Sequence, residues 1–173
     1  MTAVYGAVGA DGRRLAWPLL EEAARRRWGW DILPPAARSP RGKPFFPGLE
    51  NRWFSLSHSG GMALCALSPR PVGVDVELVR PRRSRLPARA LSGEEQARFD
   101  GSWEEFYRLW TLKESWCKRE DAPLYPPRRV ETPPPCPHRS YAGAGWRAAV
   151  CCWDAPPRDI IWLEIDCEKE GFI

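Results

Sequence analysis

The stretch of sequence that decides the fold is residues 53–78, which read WFSLSHSGGMALCALSPRPVGVDVEL. Apolar and polar residues alternate over 53–57, and a period of two is typical of a half-buried β-strand. Two glycines at 60–61 predict a turn, and the apolar run 62–67 predicts a second strand. Alternation resumes over 72–78 and predicts a third strand. We therefore expect three consecutive strands at the centre of the fold.

Helical patterns flank these strands. Leucine, alanine and tryptophan recur at helical spacing over 14–28, and mostly aromatic and aliphatic residues predict a long helix from about 103 to 119. Between the two lies the arginine-rich stretch 80–89, which we interpret as an exposed linker. Ser92 and Glu95 have the spacing of a helix capping box.

The C-terminal part of the chain predicts further strands. Residues 146–153 and 160–165 alternate again, and we expect these two strands to pair with each other. The segment 123–137 contains seven prolines and predicts a loop, because proline interrupts both helices and sheets.

Length and composition exclude several classes of protein. The chain has 173 residues, of which 43% are hydrophobic, so it can build a core and is not disordered throughout. Its start lacks the pattern of a secretory signal, and no apolar run reaches the roughly 18 residues that a membrane span needs. The six cysteines lack metal-finger spacing and favour a reduced, cytoplasmic setting. We expect no membrane partner. We also expect no nucleic-acid partner, because the ten basic and five acidic side chains of residues 1–72 leave a balance of only +5 there.

Two carboxylates fall on one face of the third predicted strand. Asp75 and Glu77 are two residues apart, and side chains alternate across a strand. Two carboxylates so placed can share a hard cation such as Mg²⁺, which prefers oxygen ligands. The alternative is an ordinary amphipathic strand with a solvated acidic face.

The long helix carries a narrow polar stripe on an otherwise apolar surface. Thr111, Glu114, Ser115 and Lys118 follow the spacing i, i+3, i+4, i+7, so they share one face. A polar stripe on a helix that is apolar nearly all round requires either solvent or a functional partner. The alternative is a Glu–Lys pair on a wet surface.

Two further motifs suit contact with an anion. The sequence Ser57-His58-Ser59-Gly60-Gly61 places polar donors beside glycines at a predicted hairpin tip, and Gly42-Lys43-Pro44 holds a lysine next to a stiff neighbour. Ser57 and His58 do not form a nucleophilic dyad, because adjacent residues of a strand point to opposite faces. The alternative for Gly42-Lys43-Pro44 is a simple loop.

The order and spacing of these motifs resemble the 4′-phosphopantetheinyl transferases of the Sfp type. The resemblance rests on GKP at 42–44, FSLSHS at 54–59, GVDVE at 73–77 and WTLKESWCK at 110–118. It implies an α/β (α+β) fold of two similar halves about a pseudo-twofold axis. Each half is a helix packed on a small, mostly antiparallel sheet, with coenzyme A and Mg²⁺ in the cleft between the halves.

The resemblance also implies a division of labour along the chain. We expect an N-terminal half, residues 1–72, that contacts the phosphates of coenzyme A, and a C-terminal half, residues 73–173, that carries the metal carboxylates and the catalytic helix. Residues 1–72 hold the excess of basic side chains.

The resemblance assigns roles to individual residues. Asp75, Glu77 and Glu114 correspond to the acidic residues that hold Mg²⁺, and Lys118 corresponds to a phosphate contact. Glu114, acting directly or through a metal-bound water, is the expected general base, so the catalytic set is Glu114, Lys118 and Asp75. The expected contacts to coenzyme A, with Arg13 as a candidate only, are Lys43, Pro44, Ser57, His58, Lys118 and Arg13.

The implied activity is that of a Mg²⁺-dependent, holo-[acyl-carrier-protein] synthase type transferase. It moves the 4′-phosphopantetheine arm of coenzyme A to a serine of an apo carrier protein and releases adenosine 3′,5′-bisphosphate. The expected acceptor is an acidic helical domain of fatty-acid, polyketide or nonribosomal peptide biosynthesis, and the expected state is a monomer. The alternatives are a homologue that binds without catalysis, a Mg²⁺-dependent phosphodiesterase and a basic nucleic-acid module.

Overall fold

A computed structural model describes residues 1–83 and 85–166, which form a mixed α/β arrangement of small sheets and few helices. The four α-helices are α1 (Gly12–Trp28), α2 (Leu86–Ala90), α3 (Gly93–Arg98) and α4 (Trp103–Glu120), and a 3-10 turn spans Pro127–Arg129. The strands are β1 (Ala3–Val8), β2 (Ala37–Arg38), β3 (Pro44–Phe45), β4 (Trp53–Ser59), β5 (Met62–Ser68), β6 (Gly73–Leu78), β7 (His138–Gly143), β8 (Trp146–Cys151) and β9 (Ile161–Trp162).

The first sheet has the strand order β4-β5-β1-β9 and carries α1 on one face. The β4–β5 hairpin is antiparallel and turns at Gly60, whose φ of 56° lies in the left-handed region. The first turn of α1 approaches the hairpin so closely that a Cβ on Gly12 would lie 2.0 Å from the carbonyl oxygen of Met62. Glycine at this position therefore lets the helix seat directly on the sheet.

The second sheet is antiparallel, with the order β6-β8-β7, and packs against α4. The helix crosses β6 at Gly73, where a Cβ would lie 1.9 Å from the carbonyl oxygen of Ser115. Ser102 caps the start of α4, and its end is marked by Asp121, whose φ is 49°. Backbone contact at Gly73 thus fixes how the polar stripe of α4 faces β6.

Most predicted elements are confirmed. The three central strands appear as β4, β5 and β6, the two long helices as α1 and α4, and the capping box of Ser92 and Glu95 opens α3. The segment 123–137 is a loop that contains only the 3-10 turn. The predicted linker 80–89 instead contains the start of α2, because Leu86 and Ala90 pack into an apolar cluster with Phe106.

The predicted pairing of the two C-terminal strands is wrong. β8 lies between β6 and β7, so both of its edges are already occupied, and β9 pairs parallel to β1 instead. Gly6 of β1 makes this possible, since a Cβ there would lie 2.6 Å from the ring of Trp162. The last described strand therefore returns to the first sheet.

No helix in the described ranges 1–83 and 85–166 combines the length and the apolar character that a bilayer crossing requires.

Candidate active site

A ladder of serine hydroxyls joins the two sheets. The backbone N–H groups of Val74, Val76 and Leu78 in β6 donate to the Oγ atoms of serines 55, 57 and 59 in β4, at 3.1, 3.2 and 3.1 Å. These three serines, called the serine ladder below, are all buried. The polar face of β4 is thus turned inward against β6, and not toward solvent as in a simple half-buried strand.

The serine ladder also positions the carboxylates of β6. Ser57 Oγ donates to Asp75 Oδ1 at 2.8 Å, and Ser59 Oγ donates to Glu77 Oε2 at 2.8 Å. Asp75 is only 4% exposed, while Glu77 is partly exposed. The burial of Asp75 argues against the alternative that this strand simply presents a solvated acidic face.

The polar stripe of α4 approaches these carboxylates. Lys118 Nζ lies 2.7 Å from Asp75 Oδ1 and donates to Ser57 Oγ at 3.1 Å. Thr111 and Ser115 are fully buried and donate to carbonyl groups of the preceding helical turn. The stripe is therefore mostly buried, and its partly exposed members are Glu114 and Lys118.

Three acidic side chains, Asp75, Glu77 and Glu114, interact electrostatically here. Burial raises the pKa of Glu114 to about 7; repulsion by Asp75 adds to the rise, and the Lys118 ammonium partly opposes it. Burial also raises the pKa of Glu77, against the hydrogen bond from Ser59. A carboxyl group with a pKa near 7 can take up and release a proton at neutral pH.

The Gly42-Lys43-Pro44 loop is fastened to the end of α4. Ser39 Oγ donates to Asp121 Oδ1 at 3.0 Å and accepts from the backbone N–H of Lys43 at 3.1 Å. The Lys43 ammonium donates to the carbonyl of Val72 at 3.2 Å. Burial lowers the pKa of Lys43 to about 8, although the charges of Asp121 and Glu120 limit the fall.

These elements surround a cleft of about 610 Å³. Its lining includes Lys43, Pro44, Glu114 and Lys118, so four of the predicted site residues face one space. The volume is within the range of about 300–1,000 Å³ that is usual for ligand pockets.

The remaining predicted contacts lie elsewhere around β4. Ser57 is buried, and its hydroxyl is engaged by Asp75, Val76 and Lys118. His58 is exposed and alternates with Ser57 along the strand. Arg13 is exposed on the first turn of α1, where Gly12 N–H donates to the carbonyl of the hairpin turn. Their contacts to coenzyme A stay predictions.

The acidic side chains of the site determine whether a metal ion can bind here. Within residues 1–83 and 85–166, no group of three or more histidine, cysteine, aspartate or glutamate side chains is arranged to hold a metal. However, Asp75 Oδ2 is buried without a hydrogen-bond partner, and Glu114 lies within electrostatic reach of Asp75 and Glu77. An orphaned carboxylate oxygen amid repelling carboxylates suits a hard cation that prefers oxygen ligands.

Sequence reasoning missed a buried ion pair behind the site. Lys113 is fully buried; its ammonium lies 2.8 Å from Glu95 Oε2 and donates to the carbonyls of Pro127 and Val130 at 3.1 and 2.7 Å. Glu95 also accepts from the N–H of Ser92. The sequence shows the capping box that contains Glu95, and it shows Lys113 among apolar residues. The spacing of the two residues, however, does not predict that they contact each other.

Sequence reasoning also missed Ser39 and Asp121, which fasten the lysine loop, and the roles of Ser55 and Ser59. Alternation along 53–59 indicates which residues share a face of the strand. It does not indicate which of the two faces meets another sheet.

Comparison with known proteins gives a family match for part of the chain. Residues 71–141 match the family model described as the 4′-phosphopantetheinyl transferase superfamily. Over this segment the chain is similar to that superfamily. The matched segment contains Asp75, Glu77, Glu114 and Lys118, and it ends in β7.

Individual members of the 4′-phosphopantetheinyl transferase superfamily are similar over longer or shorter stretches. 4′-Phosphopantetheinyl transferase Sfp of Bacillus subtilis (strain 168) is 31% identical over 132 residues, which are 64% of this chain and 59% of that protein. The ffp transferase of Bacillus subtilis is 33% identical over the same coverage. AcpT of Escherichia coli O157:H7 is 41% identical over 86 residues, 45% of this chain and 44% of its own length. The chain thus spans about three fifths of Sfp, and the Sfp-type resemblance of its motifs is confirmed.

Proposed function

We propose that the protein transfers the 4′-phosphopantetheine arm of coenzyme A to a serine of an apo carrier protein, and releases adenosine 3′,5′-bisphosphate, in a Mg²⁺-dependent reaction. The observation that carries the proposal is the meeting of Glu114, Lys118 and Lys43 at one cleft, with Asp75 directly behind Lys118. These groups match what transfer from a pyrophosphate requires, namely positive charge for the phosphates and a base for the acceptor.

The two lysines of the cleft, Lys43 and Lys118, neutralise the charge of the coenzyme A pyrophosphate. A lysine ammonium is a compact point charge that binds phosphate oxygens from several directions. Lys118 can exchange its contact with Asp75 for one with a phosphate, and Lys43 approaches from the opposite segment of the chain. Stabilising charge where it develops is the main source of catalysis in phosphoryl transfer.

Glu114 removes the proton from the hydroxyl of the acceptor serine. The serine oxygen of the acceptor forms a bond to the phosphorus of the phosphopantetheine arm, and the bond from that phosphorus to the bridging oxygen breaks. The proton of the serine passes to the Glu114 carboxylate, directly or through a water. A pKa of about 7 suits a base that works near neutral pH.

Asp75, Glu77 and Glu114 would hold Mg²⁺, and the Oδ2 of Asp75 has no hydrogen-bond partner that the ion would have to displace. When bound, the ion supplies further charge neutralisation on the pyrophosphate. In the present structure the Lys118 ammonium is the cation beside Asp75.

The finer assignments are part of the same proposal. They comprise a holo-[acyl-carrier-protein] synthase type reaction on an acidic helical carrier protein, and a monomer of two halves, 1–72 and 73–173, about a pseudo-twofold axis. Support comes from one long helix on each sheet, α1 on the first and α4 on the second.

We also propose a cytoplasmic location; the five free cysteines of the described residues suit a reducing compartment.

A transfer assay tests the proposal. Purified protein, coenzyme A and Mg²⁺ are incubated with a panel of apo fatty-acid, polyketide and peptide carrier proteins, and mass spectrometry follows the acceptors. We expect one phosphopantetheine addition on at least one acceptor. No addition across the panel would overturn the proposal, and release of phosphopantetheine without an acceptor would identify a phosphodiesterase instead.

A further inference from the structure

The end of α4 carries an aspartate in a conformation that favours glycine. Asp121 directly follows the helix with a φ of 49°, and within residues 1–83 and 85–166 it is the only residue other than glycine with a positive φ. Glycine prevails at such helix ends because it has no Cβ to clash with the backbone. An aspartate in this strained conformation indicates that its side chain has a use.

The Asp121 carboxylate holds the hairpin 37–45, which consists of β2, β3 and the turn between them. Ser39 Oγ donates to Asp121 Oδ1 at 3.0 Å, and it accepts from the backbone N–H groups of Arg41 and Lys43 at 3.2 and 3.1 Å. Among the described residues, the bond from Ser39 is the only hydrogen bond between this hairpin and α4 or its cap residue. We call it the Ser39–Asp121 latch.

The hairpin has little stability of its own. β2 and β3 are two residues long and form a separate two-stranded sheet, and an isolated two-stranded hairpin is marginally stable in water. The tip of the hairpin, residues 40–42, is exposed. Contacts with the rest of the molecule therefore decide whether the hairpin stays in place.

The position of the hairpin decides where Lys43 lies. Residues 41–44 line the cleft together with Lys118 and Asp121. The Lys43 ammonium donates to the carbonyl of Val72 at 3.2 Å. A phosphate that takes this ammonium competes with the bond to Val72, so the latch becomes more important for holding the hairpin when a ligand is bound.

We propose that Asp121 is a positioning residue, which through Ser39 holds the hairpin against α4 and so keeps Lys43 at the cleft for a phosphate of coenzyme A. The identity of the ligand rests on the proposed function, whereas the latch does not. The negative charge of Asp121 repels a phosphate, so its benefit to binding comes through the hairpin.

Hydrogen exchange of the purified chain without ligand tests the latch. The amides of Ser39, Gly42 and Lys43 are hydrogen-bonded within the turn. Asp121→Gly removes the carboxylate and suits the positive φ, so the fold should be retained while these amides exchange at least tenfold faster. Asp121→Asn keeps an acceptor for Ser39 and should exchange within threefold of the wild type. Unchanged exchange in Asp121→Gly overturns the proposal.

Calorimetric titration with coenzyme A tests the consequence for Lys43. Asp121→Gly and Ser39→Ala should each weaken the binding of coenzyme A at least fivefold. Glu104→Gln removes one exposed negative charge at the other end of α4; it is the matched control and should change both exchange and affinity less than twofold. Wild-type affinity of Asp121→Gly overturns the proposal.

A double-mutant cycle distinguishes positioning of Lys43 from a general loss of structure. In a Lys43→Gln background, Asp121→Gly should weaken coenzyme A less than twofold further, because the latch acts through this lysine. Full additivity of the two losses contradicts the proposal.

The two measurements also separate this proposal from the proposed function. If the wild-type chain does not bind coenzyme A, the proposed function fails and the role of Asp121 in binding fails with it, whereas exchange still decides whether the latch exists. If the chain transfers phosphopantetheine but Asp121→Gly matches the wild type in exchange and affinity, the proposed function stands and the latch is wrong.

Discussion

Ser57 Oγ donates to Asp75 Oδ1 at 2.8 Å and accepts from the backbone N–H of Val76 at 3.2 Å, so one hydroxyl joins two sheets and orients a buried carboxylate. It also accepts from Lys118. A residue expected to touch phosphate thus sits at the structural centre of the site.

Ser57→Ala should destabilise the protein by about 1–3 kcal/mol, because the Val76 N–H and the Asp75 carboxylate lose a buried partner. Urea unfolding measures the loss. Ser140→Ala, at an exposed position of β7, is the control and should stay within about 0.5 kcal/mol of the wild type. An unchanged midpoint for Ser57→Ala would show that this hydroxyl contributes no stability.

Glu114→Gln should lower the rate of phosphopantetheine transfer by about 10²–10⁴-fold, the usual contribution of a general base. The amide keeps the size of the side chain, so circular dichroism should remain unchanged. Glu104→Gln, exposed in the first turn of the same helix, should transfer normally. Near-normal turnover by Glu114→Gln would refute its role as the base.

The same substitution should raise stability at pH 8. Since the folded-state pKa of Glu114 is raised from 4.5 to about 7, the folded protein binds this proton more tightly than the unfolded chain does. Its contribution to stability is therefore present below pH 4.5 and is lost as the pH rises through about 7. Glu114→Gln has no such loss, so its stability advantage over the wild type should grow between pH 5 and 8. A constant difference would contradict the raised pKa.

Lys113→Met should cost about 3–5 kcal/mol, because it leaves the Glu95 carboxylate buried without its cation. Adding Glu95→Gln should recover part of the loss, since the amide removes the charge and keeps an acceptor for Ser92. The exposed pair of Arg26 and Glu22 is the control, and Arg26→Met should cost no more than about 1 kcal/mol. Additive losses in the Lys113–Glu95 double-mutant cycle would show that the pair is not coupled.

Gly73→Ala should destabilise the protein by about 1–3 kcal/mol by overpacking, because its Cβ would lie 1.9 Å from the Ser115 carbonyl oxygen. Transfer should also fall, since α4 must move away from β6 together with Glu114. Gly93→Ala, with no atom within 4 Å of its Cβ, should have neither effect. Thermal unfolding measures the loss of stability, and the transfer assay measures the loss of activity. An unchanged melting temperature for Gly73→Ala would contradict the prediction.

Much of the fold follows from periodicity, as the strands at 53–78 and the helices α1 and α4 illustrate. Pairing between distant segments does not, and β9 therefore lies beside β1 although alternation alone favoured β8. At the site, strand and helix spacing correctly group Asp75 with Glu77 and Glu114 with Lys118. The buried pair of Lys113 and Glu95 depends instead on how the loop 123–137 folds over α4. A loop has no hydrophobic periodicity, so its path cannot be predicted from the local sequence.

The serine ladder has a consequence for how the molecule avoids self-association. β6 is the outer strand of its sheet, and an outer strand usually offers its unpaired N–H groups to any passing chain. Here three serine side chains of β4 accept those N–H groups, so β4 covers this edge without backbone pairing. The strand that carries Asp75 and Glu77 is thereby protected against pairing with other chains, although it is an edge strand of its own sheet.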